Sequence, residues 1–436
     1  MPHKKVLIIT YYWPPSGGSG VQRWLKFVKY LPDFGWEPIV FTPENPGFVI
    51  KDPSLNKDVS PSTSIIKFLM WEPYRLFQKL LHLFIKSSAP TYNLIDFNKK
   101  PLLVEKLAIW IIGNVFVPDP KVCWVRSATQ KALKIMRSQD IPIVITTGPP
   151  HSMHLIGLRL KRKLPIQWIA DFRDPWSEWD KLSNFRLTPM AYTWHQRLER
   201  KVLSAADKVI TVSKSWQKAL KKVAGHKVEV LTNGFDEADF ASYRASKPVD
   251  KFRISHVGLI SSFRKVDMFW TALQELCQEH EAFAKALEVN LVGQVTPSLV
   301  QKLQSIDALK NKLVIQDYLP HEKVMSEYER SALLLLIQNK SNTIQGHIPG
   351  KFFEYLGAGK PILLLGASAS DLGFLVKELG RGAVCDAYDL AAIKLALKRL
   401  FDDYLHGKEL PTANITSYTR SNLTKTLATK LDELVN

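Results

Sequence analysis

Two runs of short apolar segments alternating with amphipathic helical patterns, split by one weakly patterned stretch, constrain this chain more than any other feature. In the first run, 6–10, 143–147, 167–171, 208–213 and 228–231 read as strands, and 21–31, 152–163, 191–205 and 214–223 as helices. Residues 237–251 carry several charges, a proline and little periodicity, which is the composition of a linker. The alternation then restarts, with strands expected at 253–257, 287–292, 313–316, 332–337 and 362–365 and helices between them. Strands that alternate with helices build parallel sheets covered on both faces. The expected fold is therefore α/β, with two Rossmann-like domains facing across a cleft. The domains run over residues 1–240 and 250–412, followed by a helical tail at 413–436. In such folds ligands sit at the carboxyl ends of the strands.

Residues from about 50 to 122 break the alternation and read as a basic, aromatic insertion. A helix starting at Pro73 would place Arg75, Lys79, His82 and Lys86 on one face and Phe77, Leu80, Leu81 and Phe84 largely on the other. That pattern is an interfacial membrane anchor or an ordinary packed surface helix. The net charge of +18 is lopsided. Residues 1–250 hold 37 Lys and Arg against 21 Asp and Glu, an excess of 16, whereas the remainder holds 22 against 20. A one-sided excess points to an anionic partner for the first half, such as a lipid surface or a phosphorylated substrate. Nucleic acid is not expected, because no readout motif accompanies the basic residues. Cys123, Cys277 and Cys385 are too scattered for a disulfide framework or a zinc site, which favours a reducing compartment. No secretory signal or membrane-spanning run is visible in the sequence.

The stretch from Gly346 to Pro361 sits between two apolar strand-like runs and opens a helix near Gly350. Free N–H groups at a helix N-terminus, together with the helix dipole, favour a phosphate there. Glu354, about one turn further on, is placed as a carboxylate that could accept ribose hydroxyls, or it is a surface residue of a plain crossover. Gly17 and Gly18, after the first strand, could let backbone approach a ligand where a side chain would block it, or form a plain turn. His151 ends the turn Gly148-Pro149-Pro150-His151 and could meet a sugar hydroxyl or serve only the turn. Asp171, Arg173 and Asp174 close another strand. They read as an acceptor-positioning set and an internal Asp–Arg network together, with a magnesium pair less favoured.

In order and spacing, these segments resemble the GT-B glycosyltransferases, in particular the retaining family-4 type of bacterial cell-surface polysaccharide synthesis. The segments are the Pro14-Pro15-Ser16-Gly17-Gly18 loop, Pro118-Asp119-Pro120 with Trp124, Thr147 to His151, Asp171 to Trp176, Ala206 to Ser213, Asn233 to Asp236, His256-Val257-Gly258 with Arg264-Lys265, and Pro349 to Pro361. The resemblance implies that Glu354 binds the ribose, and that Arg264, Lys265 and Lys351, with Gly350, Gly17 and Gly18, serve the donor diphosphate. It also implies that His151, with Asp171 and Asp174, serves the transferred sugar and the acceptor. No cofactor and no metal is expected. The implied partners are a UDP- or GDP-type sugar, a lipid-linked saccharide or similar envelope acceptor, and an anionic membrane surface. The implied location is cytoplasmic, peripheral on the inner face of the cytoplasmic membrane. The chain departs from the family motif where a first glutamate would fall, at Gly346, so the donor sugar is left open. The rival readings are a sugar-nucleotide epimerase of the same fold and an inactive peripheral scaffold.

Overall fold

The structure is a computed structural model that describes residues 4–48, 50–71, 103–241, 250–260, 266–338, 341 and 343–435. It divides into two compact units: Met1–Thr232 with Thr424–Asn436, and Asn233–Leu423. In the first, β1 (Lys4–Ile9), β2 (Trp36–Pro43), β3 (Ser64–Phe68), β4 (Ile143–Gly148), β5 (Gln167–Phe172), β6 (Lys208–Thr211) and β7 (Val228–Val230) form a seven-stranded sheet. Its order is β3-β2-β1-β4-β5-β6-β7 and every pairing is parallel. Helices α1 (Ser19–Tyr30), α2 (Leu103–Asn114), α3 (Val125–Ser138), α4 (Ser152–Lys161), α5 (Pro189–Ala205) and α6 (Lys214–Ala224) belong to this unit.

The second unit holds β8 (Phe252–Val257), β9 (Leu287–Val292), β10 (Leu313–Gln316), β11 (Leu333–Ile337), β12 (Ile362–Leu365) and β13 (Gly382–Cys385), in the order β10-β9-β8-β11-β12-β13. Its helices are α7 (Asp267–Glu279), α8 (Glu281–Ala286), α9 (Pro297–Gln304), α10 (His321–Glu329), α11 (Gly350–Gly357), α12 (Asp371–Glu378) and α13 (Leu390–Leu405). Helix α14 (Arg420–Val435) closes the chain. From Thr424 onward it packs with the first unit, where Lys4 meets Asp432 at 3.0 Å and Lys208 meets Glu433 at 2.6 Å.

The uninterrupted apolar strands of the second unit follow from burial on both faces. Leu333, Leu335 and Ile337 of β11 enter one core with Leu363 and Leu365 of β12. Leu334 and Leu336 enter the opposite core with Ile362 and Leu364. Alternate side chains point to opposite faces, so a strand covered on both sides reads as a continuous hydrophobic run. In each sheet the chain reverses its direction of winding beside the first strand, between β1 and β4 and between β8 and β11. These switch points are where a parallel sheet leaves room for a ligand beyond its carboxyl edge.

Several elements depart from the sequence reading. β2 contains Pro38, a residue that argues against a central strand. Pro38 is tolerated because β3 begins pairing only at Ile39, so one edge of the strand is uncovered there. β3 lies within the stretch read as an insertion but is the edge strand of the first sheet. Helices α2, α3 and α12 and the four-residue β13 were not expected. The proposed amphipathic helix from Pro73 lies outside the described residues.

Helix α4 reaches the sheet through Gly157. A Cβ there would stand 2.4 Å from the Trp168 indole. Gly157→Ala is expected to destabilise the protein by about 1–3 kcal/mol through overpacking. Urea denaturation checks this, and an unchanged midpoint would contradict it.

Candidate functional site

The loops beyond the first sheet are braced by the motif that closes β5, and each of its residues has its own task. Asp171 has no exposed surface. Its Oδ2 accepts from Trp24 Nε1 at 2.7 Å, Thr147 Oγ1 at 2.9 Å and Arg23 Nε at 3.2 Å, and its Oδ1 accepts from Arg23 Nη2 at 3.0 Å. Arg23 is equally buried, and it also donates to the carbonyls of Leu231 and Thr232 at 2.9 and 2.8 Å. The carboxylate expected to face a substrate is therefore fully occupied inside the protein. Asp171 positions α1 against β4, β5 and the end of β7. Asp171 takes part in an internal network of the expected kind, with Arg23 rather than Arg173 as its arginine partner.

Arg173 holds backbone instead. Its guanidinium donates to the carbonyls of Gly148 at 3.2 Å, Pro149 at 2.5 Å and Gly20 at 2.8 Å. It thereby ties the glycine loop after β1 to the turn after β4. In that glycine loop, Gly18 has φ +83°, a conformation glycine adopts without steric cost, and it directly precedes α1. Gly17 N–H donates to the Ile50 carbonyl at 2.9 Å. Asp174 is half-buried and makes no hydrogen bond or ion pair among the described residues. It lines a depression with Ser177, Glu199, Arg200 and Trp216. Of the two aspartates, Asp174 is the one with exposed surface.

His151 lies at the start of α4, stacked on Trp176 with centroids 4.9 Å apart and planes within 7°. Its buried Nδ1 finds no hydrogen-bond partner among the described residues. His154, one turn on, stacks on Phe172 at 4.5 Å and shares a 2.9 Å hydrogen bond with Thr146 Oγ1. His195 Nδ1 accepts from Trp176 Nε1 at 3.1 Å. Gly148 passes between the first two rings, since a Cβ there would stand 2.6 Å from His154 Nε2 and 2.8 Å from His151 Nδ1. Burial first, then the nearby charges, keep His151 well below its ordinary pKa. Burial also holds His154 down at about 3 and His195 at about 4. All three rings are neutral at pH 7, so His151 offers an uncharged imidazole. Asp119 completes this side by accepting from the Ser152 N–H at 2.8 Å and hydroxyl at 2.7 Å, which caps α4. Sequence reasoning noted Asp119 without giving it a role; it directly precedes the turn Pro120–Trp124, where it accepts from the Lys121 N–H at 2.9 Å, but Ser152 lies 33 residues further on and gives no local signal.

In the second unit, the N-terminus of α11 follows β11 by way of a loop pinned by Gln338. That buried amide donates to the Ile344 and His347 carbonyls, both at 3.1 Å, and accepts from the Ala367 N–H at 3.2 Å. Gly346, where the family motif has its first glutamate, is buried in the short turn Ile344–Gly346. Gly350 begins the helix. Lys351 extends over Gly258, directly beyond β8, where its Nζ would stand 1.5 Å from any Cβ. Gly258 has φ +134°, so backbone and space both require glycine there. Glu354 is half-buried, and its Oε2 accepts from the Tyr328 hydroxyl at 2.6 Å. Burial first, then Glu354 itself, raises the Tyr328 pKa well above its ordinary value, so the phenol stays a donor. No donor among the described residues meets Glu354 Oε1. Arg264 and Lys265 lie outside the described residues.

Two parallel-sheet units of Rossmann type, each with its loops at a switch point, define the GT-B fold class. Residues 18–239, half of the chain, match the family model Glycosyltransferase Family 4, and the chain belongs to that family. It is a glycosyltransferase, moving a sugar from a nucleotide-sugar donor. Among solved structures it is similar to a glycosyltransferase from Rickettsia africae, with a TM-score of 0.63 and 12% identity over 100% of both chains. It is also similar to sucrose-phosphate synthase from Thermosynechococcus elongatus, with a TM-score of 0.59 and 15% identity over 100% of this chain and 95% of that one. A third structure, from Listeria monocytogenes and assigned by its name to the UDP-N-acetylglucosamine 2-epimerases, has a TM-score of 0.59 and 14% identity over 99% and 96%. At these identities the likeness is one of fold. No curated protein matches the sequence significantly.

Asp171→Asn removes one partner of a buried ion pair and is expected to cost about 3–5 kcal/mol. Asp174→Asn should leave stability within about 0.5 kcal/mol of the parent while lowering turnover. Denaturation and activity assays on the two variants separate the positioning carboxylate from the accessible one. The histidines make a further prediction. They bind fewer protons folded than unfolded below about pH 6.5, so stability is full above that pH and falls as pH drops toward 4. The loss is at most about 1.4 kcal/mol per pH unit for each ring. Urea midpoints between pH 7 and 5.5 should decline, and less steeply in His154→Asn.

Proposed function

We propose that the second unit binds a UDP- or GDP-type sugar, and that the loops of the first unit receive a hydroxyl of a lipid-linked saccharide or other envelope acceptor. The observation that carries this reading is Glu354, held by Tyr328 one turn into α11, with its second carboxylate oxygen meeting no donor among the described residues. A ribose diol supplies two donors of the kind such a carboxylate accepts. The N-terminal N–H groups of α11 and the Lys351 ammonium then meet the diphosphate, whose negative charge grows as the glycosidic bond breaks. Arg264 and Lys265 join them in this reading.

Configuration is retained. Attack comes from the face the diphosphate leaves, and the leaving phosphate oxygen takes the acceptor's proton. Asp171 cannot act as a covalent nucleophile, because four hydrogen bonds hold it inside the protein. His151 contacts the transferred sugar as a neutral imidazole, and Asp174 orients the acceptor hydroxyl. Gly17 and Gly18 let backbone come close to the ligand. The reaction takes place at the inner face of the cytoplasmic membrane and uses no metal. Membership of a glycosyltransferase family favours transfer over the epimerase alternative.

Isothermal calorimetry with UDP and GDP tests the donor assignment. One nucleotide should bind, and Glu354→Ala should weaken it roughly 10- to 100-fold, the value of one or two charge-assisted hydrogen bonds. Absence of heat with either nucleotide, or an unchanged affinity in the variant, would refute it. A thermal-shift panel of nucleotide sugars then identifies the base and the sugar.

A further inference from the structure

Among the described residues, two helices of the first unit, α2 and α5, leave apolar and aromatic side chains exposed. On α2, Trp110 is 41% exposed, and Leu107 and Val115 beside it are more so. On α5, Met190 is 76% exposed and Trp194 56%, with Tyr192 also in solvent. Asn114 ties the end of α2 to the segment that enters α5: its amide donates to the carbonyl of Arg186 at 3.2 Å and accepts from the N–H of Thr188, the residue before α5, at 2.7 Å. Gly113 allows this approach, since a Cβ there would stand 2.7 Å from Phe185. Along α5, Met190, Trp194, Arg197 and Lys201 recur at helical spacing on one face. Arg186, Arg197 and Lys201 are exposed, and none makes an ion pair among the described residues.

We infer that this α2–α5 surface docks the enzyme on an anionic lipid bilayer. The proposal rests on the reading of a membrane-borne acceptor and assigns the face that meets the membrane. Tryptophan and tyrosine favour the headgroup boundary, where the ring is desolvated and the polar edge stays wet. Unpaired cations beside them gain about 1 kcal/mol each near an anionic leaflet. Charge selects the bilayer over a second copy of this chain, because a self-complementary contact would set the same cations against one another. The surface is formed by residues other than those of the expected basic helix at 73–86.

The test is co-sedimentation of the full chain with vesicles of phosphatidylcholine alone and of phosphatidylcholine with phosphatidylglycerol. The wild type should partition onto the phosphatidylglycerol vesicles. Trp110→Ser with Trp194→Ser, and separately Arg197→Glu with Lys201→Glu, should each weaken partitioning roughly tenfold or more. Melting temperature and UDP binding should stay as in the parent, which shows the variants are folded. Variants that bind vesicles like the wild type overturn the surface assignment while leaving membrane association intact. A wild type that ignores both vesicles overturns it as well, and retained UDP binding then shows that donor recognition survives. Loss of a dimer in light scattering for the tryptophan pair, without vesicle binding, would assign the face to self-association instead.

Discussion

The buried pair of Arg23 and Asp171 is the interaction on which the first unit is organised. Both side chains are excluded from water, and each compensates the other's desolvation only because every remaining donor and acceptor is met. The pair joins α1 to the ends of β4, β5 and β7. A charge pair sealed in this way contributes little net stability, yet removing one partner leaves an uncompensated charge. Its effect is to give α1, and the glycine loop that feeds it, a single position over the sheet.

Arg173 extends that constraint outward. Three carbonyls converge on one planar guanidinium, which suits Arg and would not suit a lysine. The glycine loop, the turn before His151 and the end of β5 therefore move together. Behind them lies a stack of neutral rings, His151 on Trp176 and His154 on Phe172. An imidazole fixed in this way keeps its orientation and its neutral state, which a loop histidine open to water would not. The second unit uses the same economy of means: Gln338 holds the loop before α11 with one amide, and Tyr328 orients Glu354 with one hydroxyl.

Much of this was legible in the sequence. The α/β class, the two-unit plan and most strands followed from alternating apolar runs, because burial on both sheet faces imposes them. Glu354 and Lys351 were legible as candidates because they stand in the first turns of a helix between two buried strands. β2 was missed because Pro38 masks it, and the pairing that makes Pro38 acceptable depends on where β3 begins. Gln338 and Tyr328 carry no local signal at all, since their partners lie between 6 and 29 residues away.

Sequence by itself determined which residues could stand at the carboxyl ends of the strands, because hydrophobic period and glycine placement are local properties. It could not divide labour among them. Asp171 and Asp174 are three positions apart and chemically the same. One is sealed against Arg23 and the other lies open, and only the crossing of α1 over β5 decides which. Histidine protonation was likewise beyond local reading, because burial is a property of the packed whole.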